Sequence, residues 1–302
     1  MKTSLRAETG AKLSVLLSMA IWGSVGIFVR YIPLPSSVIA LARGVIGLAF
    51  LLLVVLLRAQ RVDFAAIRRN LPVLCISSVA LGANWILLFE AYRFTTVATA
   101  TLCYYFAPIL LIVASPILLK EKLSRRKVLC VVVALVGMVF VSGVAEGGLP
   151  GRDEALGIAF GLLAAVLYAT VVLMNKKMRD IAAFDRTMTQ LGLSAVVLLP
   201  YILLTENLST LQVDAMGIAL LAVVGVVHTG IAYALYFGAL DRLKAQTAAI
   251  FSYVDPVLAI VFSALLLREP LTIYSVIGAV LILGSALVSE LPERKRSDST
   301  GR

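Results

Sequence analysis

Two stretches of this chain are rough copies of each other. WILLFEAYRFTTVATATLCYYFAPILLIVASPILLKEKLS (85–124) aligns without a gap on YALYFGALDRLKAQTAAIFSYVDPVLAIVFSALLLREPLT (233–272). Thr99 falls on Thr247, Tyr105 on Tyr253, Pro108 on Pro256 and Glu121 on Glu269, a shift of 148 positions. An earlier match, MAIWGSVGIFVR (19–30) on AVLYATVVLMNK (165–176), places Trp22 on Tyr168. A chain built from one unit twice must bury the two copies against each other. In a very apolar chain, weak internal symmetry of this kind is the sign of a secondary carrier, with its binding site where the repeats meet.

Composition places the chain in a membrane. It is 61% hydrophobic and 15% charged, with a mean hydropathy of +0.99, whereas a soluble domain carries about 25% charged residues. Apolar runs of ~20 residues, enough to cross a bilayer, follow one another with short breaks. The net charge of +10 does not point to nucleic acid, because the basic residues sit at the ends of apolar runs and form no stripe. The polar start MKTSLRAETGAK runs into the first apolar segment without a small-residue cleavage site, so a retained helix is expected. Cys75, Cys103 and Cys130 lie in apolar segments without metal spacing and read as packing thiols.

The expected fold is an all-α polytopic membrane protein with ten transmembrane helices as two inverted five-helix repeats. The helices are placed at 13–30, 36–57, 71–92, 96–119, 127–144, 155–174, 184–204, 215–238, 245–267 and 271–289. Pro33, Pro35, Gly147, Gly148, Pro150, Gly151 and Pro270 punctuate the breaks. The halves are 1–146 and 147–302, joined near 144–154, and the second ends in a short basic tail. With the N-terminus in the cytoplasm, 22 of the 27 Lys and Arg fall in inner segments, 4 in outer ones, and Arg43 within a helix. Positive charge marks the cytoplasmic side, so both termini are expected there. Five helices per half is an odd number, so the second half enters the membrane upside down, the basis of alternating access.

Trp22–Gly23, Arg43, Phe89–Arg93 leading into Thr95–Thr99, Pro108 and Leu119–Leu123 carry a family resemblance. Gly238–Leu243, Ala248, Pro256 and Leu267–Leu271 repeat it. Over nearly its whole length the chain resembles the drug/metabolite transporter superfamily, and within it the EamA-like proteins of ten helices. The resemblance implies a small-metabolite carrier, often an exporter of amino acids or related compounds, and the strong inside bias of Lys and Arg suits a bacterial inner membrane. It leaves sugars, amines, nucleosides and drug-like cations open.

Ionisable groups at a helix centre cost ~2.5–3.5 kcal/mol to insert, which makes each one a functional candidate. Arg43 lies seven residues, ~10 Å, below the outer end of its helix, among small Ala40, Gly44 and Gly47. It could hold a substrate carboxylate through paired hydrogen bonds, or serve a structural ion pair or snorkel outward. Glu90 could bind an ammonium, carry a coupling proton, or pair with Arg43 or Arg93. Asp255, near the midplane and next to Pro256, reads as a cation or proton site. Its plainer role is a hydrogen bond to Ser252 or a freed backbone group. His228 suits proton transfer, though a lone buried His is more often packing. Trp22, Trp85, Tyr104, Tyr105, Tyr168, Tyr233, Tyr236 and Tyr253 fall at depth and read together as a pocket wall. Asn84 is the leading neutral candidate, ahead of Thr99, Thr101, Gln246 and Thr247. Glu121 and Glu269 read as helix-end ion pairs.

These residues suit a zwitterion: Arg43 for carboxylate, Asp255 or Glu90 for ammonium, aromatics for a side chain. No GxxxxGK[ST] loop is present, so ATP is not expected to drive transport; a proton or solute gradient would. A membrane-embedded enzyme would need a nucleophile with its base or a metal, and neither GxSxG nor HExxH occurs. A scaffold would leave the repeat unexplained. No cofactor, metal or nucleic acid is expected; the partners are lipid and a small metabolite, and one chain is expected to suffice. Tags at both termini are expected to be reached by antibody only after permeabilisation; one tag exposed on intact cells would break the inverted count.

Overall fold

Inside a bilayer no water bonds the backbone, so each N–H and C=O must be satisfied within a helix. A computed structural model describes residues 2–118, 124–141, 149–240, 243 and 251–291. No strand occurs among them. The first half forms α1 (Lys2–Arg30), α2 (Ser36–Leu57), α3 (Phe64–Phe94), α4 (Val97–Tyr104), α5 (Ala107–Leu118) and α6 (Arg125–Val141). The second forms α7 (Arg152–Lys177), α8 (Ala183–Thr205), α9 (Ala215–Gly225), α10 (Ala232–Leu240), α11 (Val254–Leu266) and α12 (Ile273–Glu290). A π-helical turn, Val226–Ile231, joins α9 to α10. Seven spans are long and apolar enough to cross a membrane, counting α4 with α5 and α9 with α10 as one each. The shorter α6, α11 and α12 have 17, 13 and 18 residues. The chain is an all-α polytopic membrane protein.

Helix packing is reciprocal between the halves. α3 lies along α7, and α1 lies along α10. α1 packs on α11 as α7 packs on α4 and α5; α3 packs on α8 as α2 packs on α9 and the π turn. α6–α12, α2–α8 and α4–α11 pair each helix with its own counterpart. The halves run in opposite senses. α1 ends where Arg30 reaches the Thr95 carbonyl, and α7 begins beside the same Thr95, which Gly157 contacts. Large apolar side chains such as Leu56, Leu135, Leu203 and Leu265 face outward, where lipid is their solvent.

Several boundaries differ from expectation. α3 begins at Phe64, not 71, because Asp63 caps it: its Oδ1 accepts from the Ala66 N–H at 2.9 Å. The extra turns carry exposed Arg68 and Arg69 beyond the bilayer, while buried Asn70 exchanges two hydrogen bonds with the Arg179 backbone at 2.9 and 3.0 Å. The expected helix 96–119 is two helices, broken at Tyr105–Phe106. Glu121, Gln246, Thr247, the start of the helix expected at 245–267 and residues 144–148 of the linker lie outside the described residues.

The α6–α12 crossing depends on two glycines. A Cβ on Gly278 would stand 2.7 Å from the Gly137 carbonyl oxygen, and one on Gly137 would stand 3.0 Å from the Gly278 carbonyl oxygen. Backbone atoms cannot step aside as a side chain can, so these helices touch main chain to main chain. Gly278→Ala should lower stability by about 1–3 kcal/mol in a detergent melt. Gly284→Ala on the same helix, with open space around it, should be neutral or better.

Candidate functional site

Arg43 is 5% exposed. Its Nε donates to Thr229 Oγ1 at 3.1 Å, and its guanidinium carbon stands 4.4 Å from the Trp85 ring centre and 5.5 Å from that of Phe89. Stacking on aromatic faces suits a desolvated guanidinium. Among the described residues no carboxylate pairs with it. The expected alternative of a structural ion pair with Glu90 is therefore not what forms. Glu90 takes Arg93 at 3.2 Å, one turn on and nearer the outer end.

Thr229 is held by the π turn. The wider turn lets its hydroxyl bond Val224 O at 3.2 Å while accepting from Arg43. The same turn lends the His228 carbonyl to Trp22 Nε1 at 2.8 Å. π turns of this kind recur at functional sites. His228 itself is 2% exposed; its Nε2 lies 3.0 Å from Ser24 Oγ, its Nδ1 3.4 Å from Val223 O, and its ring 4.8 Å from Phe28. Its surroundings are those of a packed, hydrogen-bonded histidine.

Asp255 stands where both halves break. Pro108 and Pro256 lack the N–H that would bond Tyr104 O and Ser252 O, and the chain turns at Tyr105–Phe106 and at Tyr253. Both prolines sit in the first turn of a new helix, where the missing donor does no harm. Tyr105 crosses between the halves. Its hydroxyl donates to Asp255 Oδ2 at 2.6 Å and lies 3.4 Å from the freed Ser252 carbonyl. A Cβ on Gly23 of α1 would stand 2.7 Å from Asp255 O, so α1 rides directly on this break.

The remaining aromatics meet in two groups. Trp22 touches Tyr233 and Tyr236 at 5.2 and 5.3 Å. Tyr104 touches Tyr168 at 5.2 Å and Tyr105 at 6.0 Å, and Tyr105 stands 6.5 Å from Tyr253. Tyr92, Tyr104 and Tyr233 feel the Arg43 charge, and Tyr92 and Tyr104 also feel that of Asp255. Tyr168 is 38% exposed. Asn84 stands apart from this group. It is fully buried between α3 and α7, donates to Ala164 O at 2.6 Å, and leaves its Oδ1 without a partner.

The end of the bundle where α1 finishes and α4 begins is held by Glu269. It pairs with Arg30 at 2.8 Å, accepts the Val97 N–H at the start of α4 at 2.9 Å, and takes the Ser263 hydroxyl. One carboxylate thus ties α1, α4 and α11. A cavity of about 450 Å³ touches Arg30 and reaches Phe89 and Tyr92. Another, of about 340 Å³, touches Thr96, Thr99 and Pro270. Arg186 is the residue that sequence reasoning missed. It counts there as a loop charge, but it lies in the first turn of α8, half-buried, with its Nε unpartnered and its charge felt by Tyr236. An arginine inside an apolar helix register, after Asp185, was the available signal.

Reciprocally packed apolar spans with polar and aromatic side chains buried between them define a multi-pass membrane protein. The EamA-like transporter family model matches residues 10–143 and 155–290, and the chain belongs to that family. It is similar to the uncharacterized transporter YxxF of Bacillus subtilis, 26% identical over 298 residues, covering 98% of this chain and 94% of that protein. An uncharacterized transporter of Archaeoglobus fulgidus is 27% identical, covering 91% and 94%. A crystal structure superposes with a TM-score of 0.66 at 19% identity over 92% of this chain and 96% of the other, a likeness of fold. Family and relatives make this chain a multi-pass membrane transporter of small molecules, and they point away from an enzyme.

Glu269→Ala is expected to lower stability by about 2–3 kcal/mol, since it strands Arg30 and an N-terminal amide. Glu90→Ala removes an exposed pair and should change it by no more than about 0.5 kcal/mol. Chemical denaturation of both variants in detergent checks the difference.

Proposed function

We propose that this transporter carries small zwitterionic metabolites, amino acids or their relatives, by alternating access, and exports them from the cytoplasm. The observation that carries the reading is Arg43, buried on Trp85 and Phe89 without an acidic partner among the described residues. A guanidinium held this way in an apolar bundle is under-compensated. A ligand carboxylate would complete it with two charge-assisted hydrogen bonds. Asp255 accepts from Tyr105 through Oδ2, and its other oxygen, without a hydrogen-bond partner among the described residues, suits an ammonium. Trp22, Tyr104, Tyr168, Tyr233 and Tyr253 supply apolar faces with polar edges for the rest of the solute.

The halves 1–146 and 147–302 are proposed to rock about the shared site. Asp255 is also the favoured proton carrier, because His228 has both ring nitrogens engaged and Glu90 is occupied by Arg93. Transport that persists in an Asp255→Asn, Glu90→Gln double variant would remove proton coupling while leaving the carrier.

A thermal-shift screen of the purified protein against amino acids, amines, nucleosides and sugars tests the substrate class. A ligand at about 100 times its Kd stabilises by about 2.7 kcal/mol. A zwitterion hit, lost in Arg43→Gln and in Asp255→Asn but kept in Glu90→Gln, is the expected outcome. Hits confined to neutral sugars or lipophilic cations would sink the zwitterion assignment.

A further inference from the structure

We infer that Arg186 is a second anion-binding position, a way-station for the solute's carboxylate between the α8 end of the bundle and Arg43. The inference rests on the zwitterion reading above. Four observations support it.

α8 is the counterpart of α2, the helix that carries Arg43, so each half contributes one arginine from equivalent helices. The depths differ. Arg43 is the eighth residue of α2 and Arg186 the fourth of α8. Because the halves are inverted, Arg43 lies below one membrane face and Arg186 just inside the other.

Arg186 is not a solvated loop charge. It is half-buried, and its Nε is fully shielded with no hydrogen-bond partner. Among the described residues it makes no ion pair. Its neighbour Asp185 is turned elsewhere and accepts the Asp63 N–H at 3.2 Å.

Arg186 borders the same ring of aromatics. Its charge acts on Tyr236, which touches Trp22 at 5.3 Å and Phe237 at 5.5 Å. Tyr236 in turn interacts with Tyr168, and Tyr233 with Arg43. Trp22 thus touches both Tyr236 and Tyr233, each within electrostatic reach of an arginine that has no acidic partner among the described residues.

The chemistry fits only one sign of group. An unpaired guanidinium offers a fork of donors to a carboxylate and repels an ammonium. A solute entering at the α8 end would be met carboxylate first, which orients it for Arg43.

The test uses the full chain in vesicles of both orientations, with two probes. Phenylalanine has the carboxylate; phenethylamine lacks it. Arg186→Gln should raise half-saturation for phenylalanine about tenfold at the face holding the start of α8. It should leave the opposite face unchanged and phenethylamine unaffected. Arg186→Lys keeps the charge and the topology but loses the fork, and should fall between. Full rescue by Lys, or equal effects at both faces, would overturn the inference in favour of a topological role. A second arm needs no substrate. Arg186→Cys, in a chain with Cys75, Cys103 and Cys130 changed to Ser, should react with a membrane-impermeant anionic thiol reagent applied at the α8 face. No reaction there would place position 186 off the water path and end the proposal. If the wild-type chain does not move phenylalanine, the zwitterion reading fails, and the labelling arm alone decides whether position 186 borders the path.

Discussion

A backbone in hydrocarbon must bond itself, and the rest of this structure follows from where it does not. Three places depart from regular α-helix within the described spans: the turn before Pro108, the turn before Pro256 and the π turn at Val226–Ile231. Each frees or displaces main-chain groups that would be costly against lipid. At two of the three, side chains answer them. Tyr105 approaches the Ser252 carbonyl, Trp22 takes the His228 carbonyl, and Thr229 turns to Arg43. The irregular backbone therefore collects the polar side chains around one interior space. The site is where it is because that is where helices can be broken safely.

Around that space the helices are held by different means at different depths. At the end where α1 finishes the fastening is electrostatic, through Glu269 to Arg30 and the start of α4. At the opposite end Asn70 and Asp185 bond backbone groups of the other half. In between, contact is steric, with glycine letting main chains meet at α6–α12 and at α1–α11. Steric contacts between rigid helices allow sliding or rocking, while directional end contacts must break for a path to open. This division suits a protein whose two ends open in turn.

Much of the fold was legible in the chain because hydropathy and duplication are properties of long segments. Ten apolar spans, the equivalence of the halves and their opposite senses need no knowledge of any contact. Boundaries were less legible. Asp63 announces a cap, but Arg68 and Arg69 hide the helix that follows, since polarity marks the membrane edge and not the helix end. Pro108 and Pro256 announce breaks, but not that each falls in the first turn of a new helix, three residues after a turning tyrosine.

The site divides along the same line. The sequence by itself determined which residues are chemically able to act: one arginine inside a span, a carboxylate beside a proline, one histidine and a set of buried aromatics. It did so because ionisable and phenolic groups are rare in hydrocarbon and stand out there. Only the tertiary structure decided which of them meet. Arg43 stacks on Trp85 while Glu90 goes to Arg93, Tyr105 of one half reaches Asp255 of the other, and His228 and Asn84 are absorbed into packing. Arg186 moves from the tally of loop charges to the aromatic ring. Those assignments depend on rotation about helix axes and on crossings between halves some 150 residues apart, which no local pattern encodes.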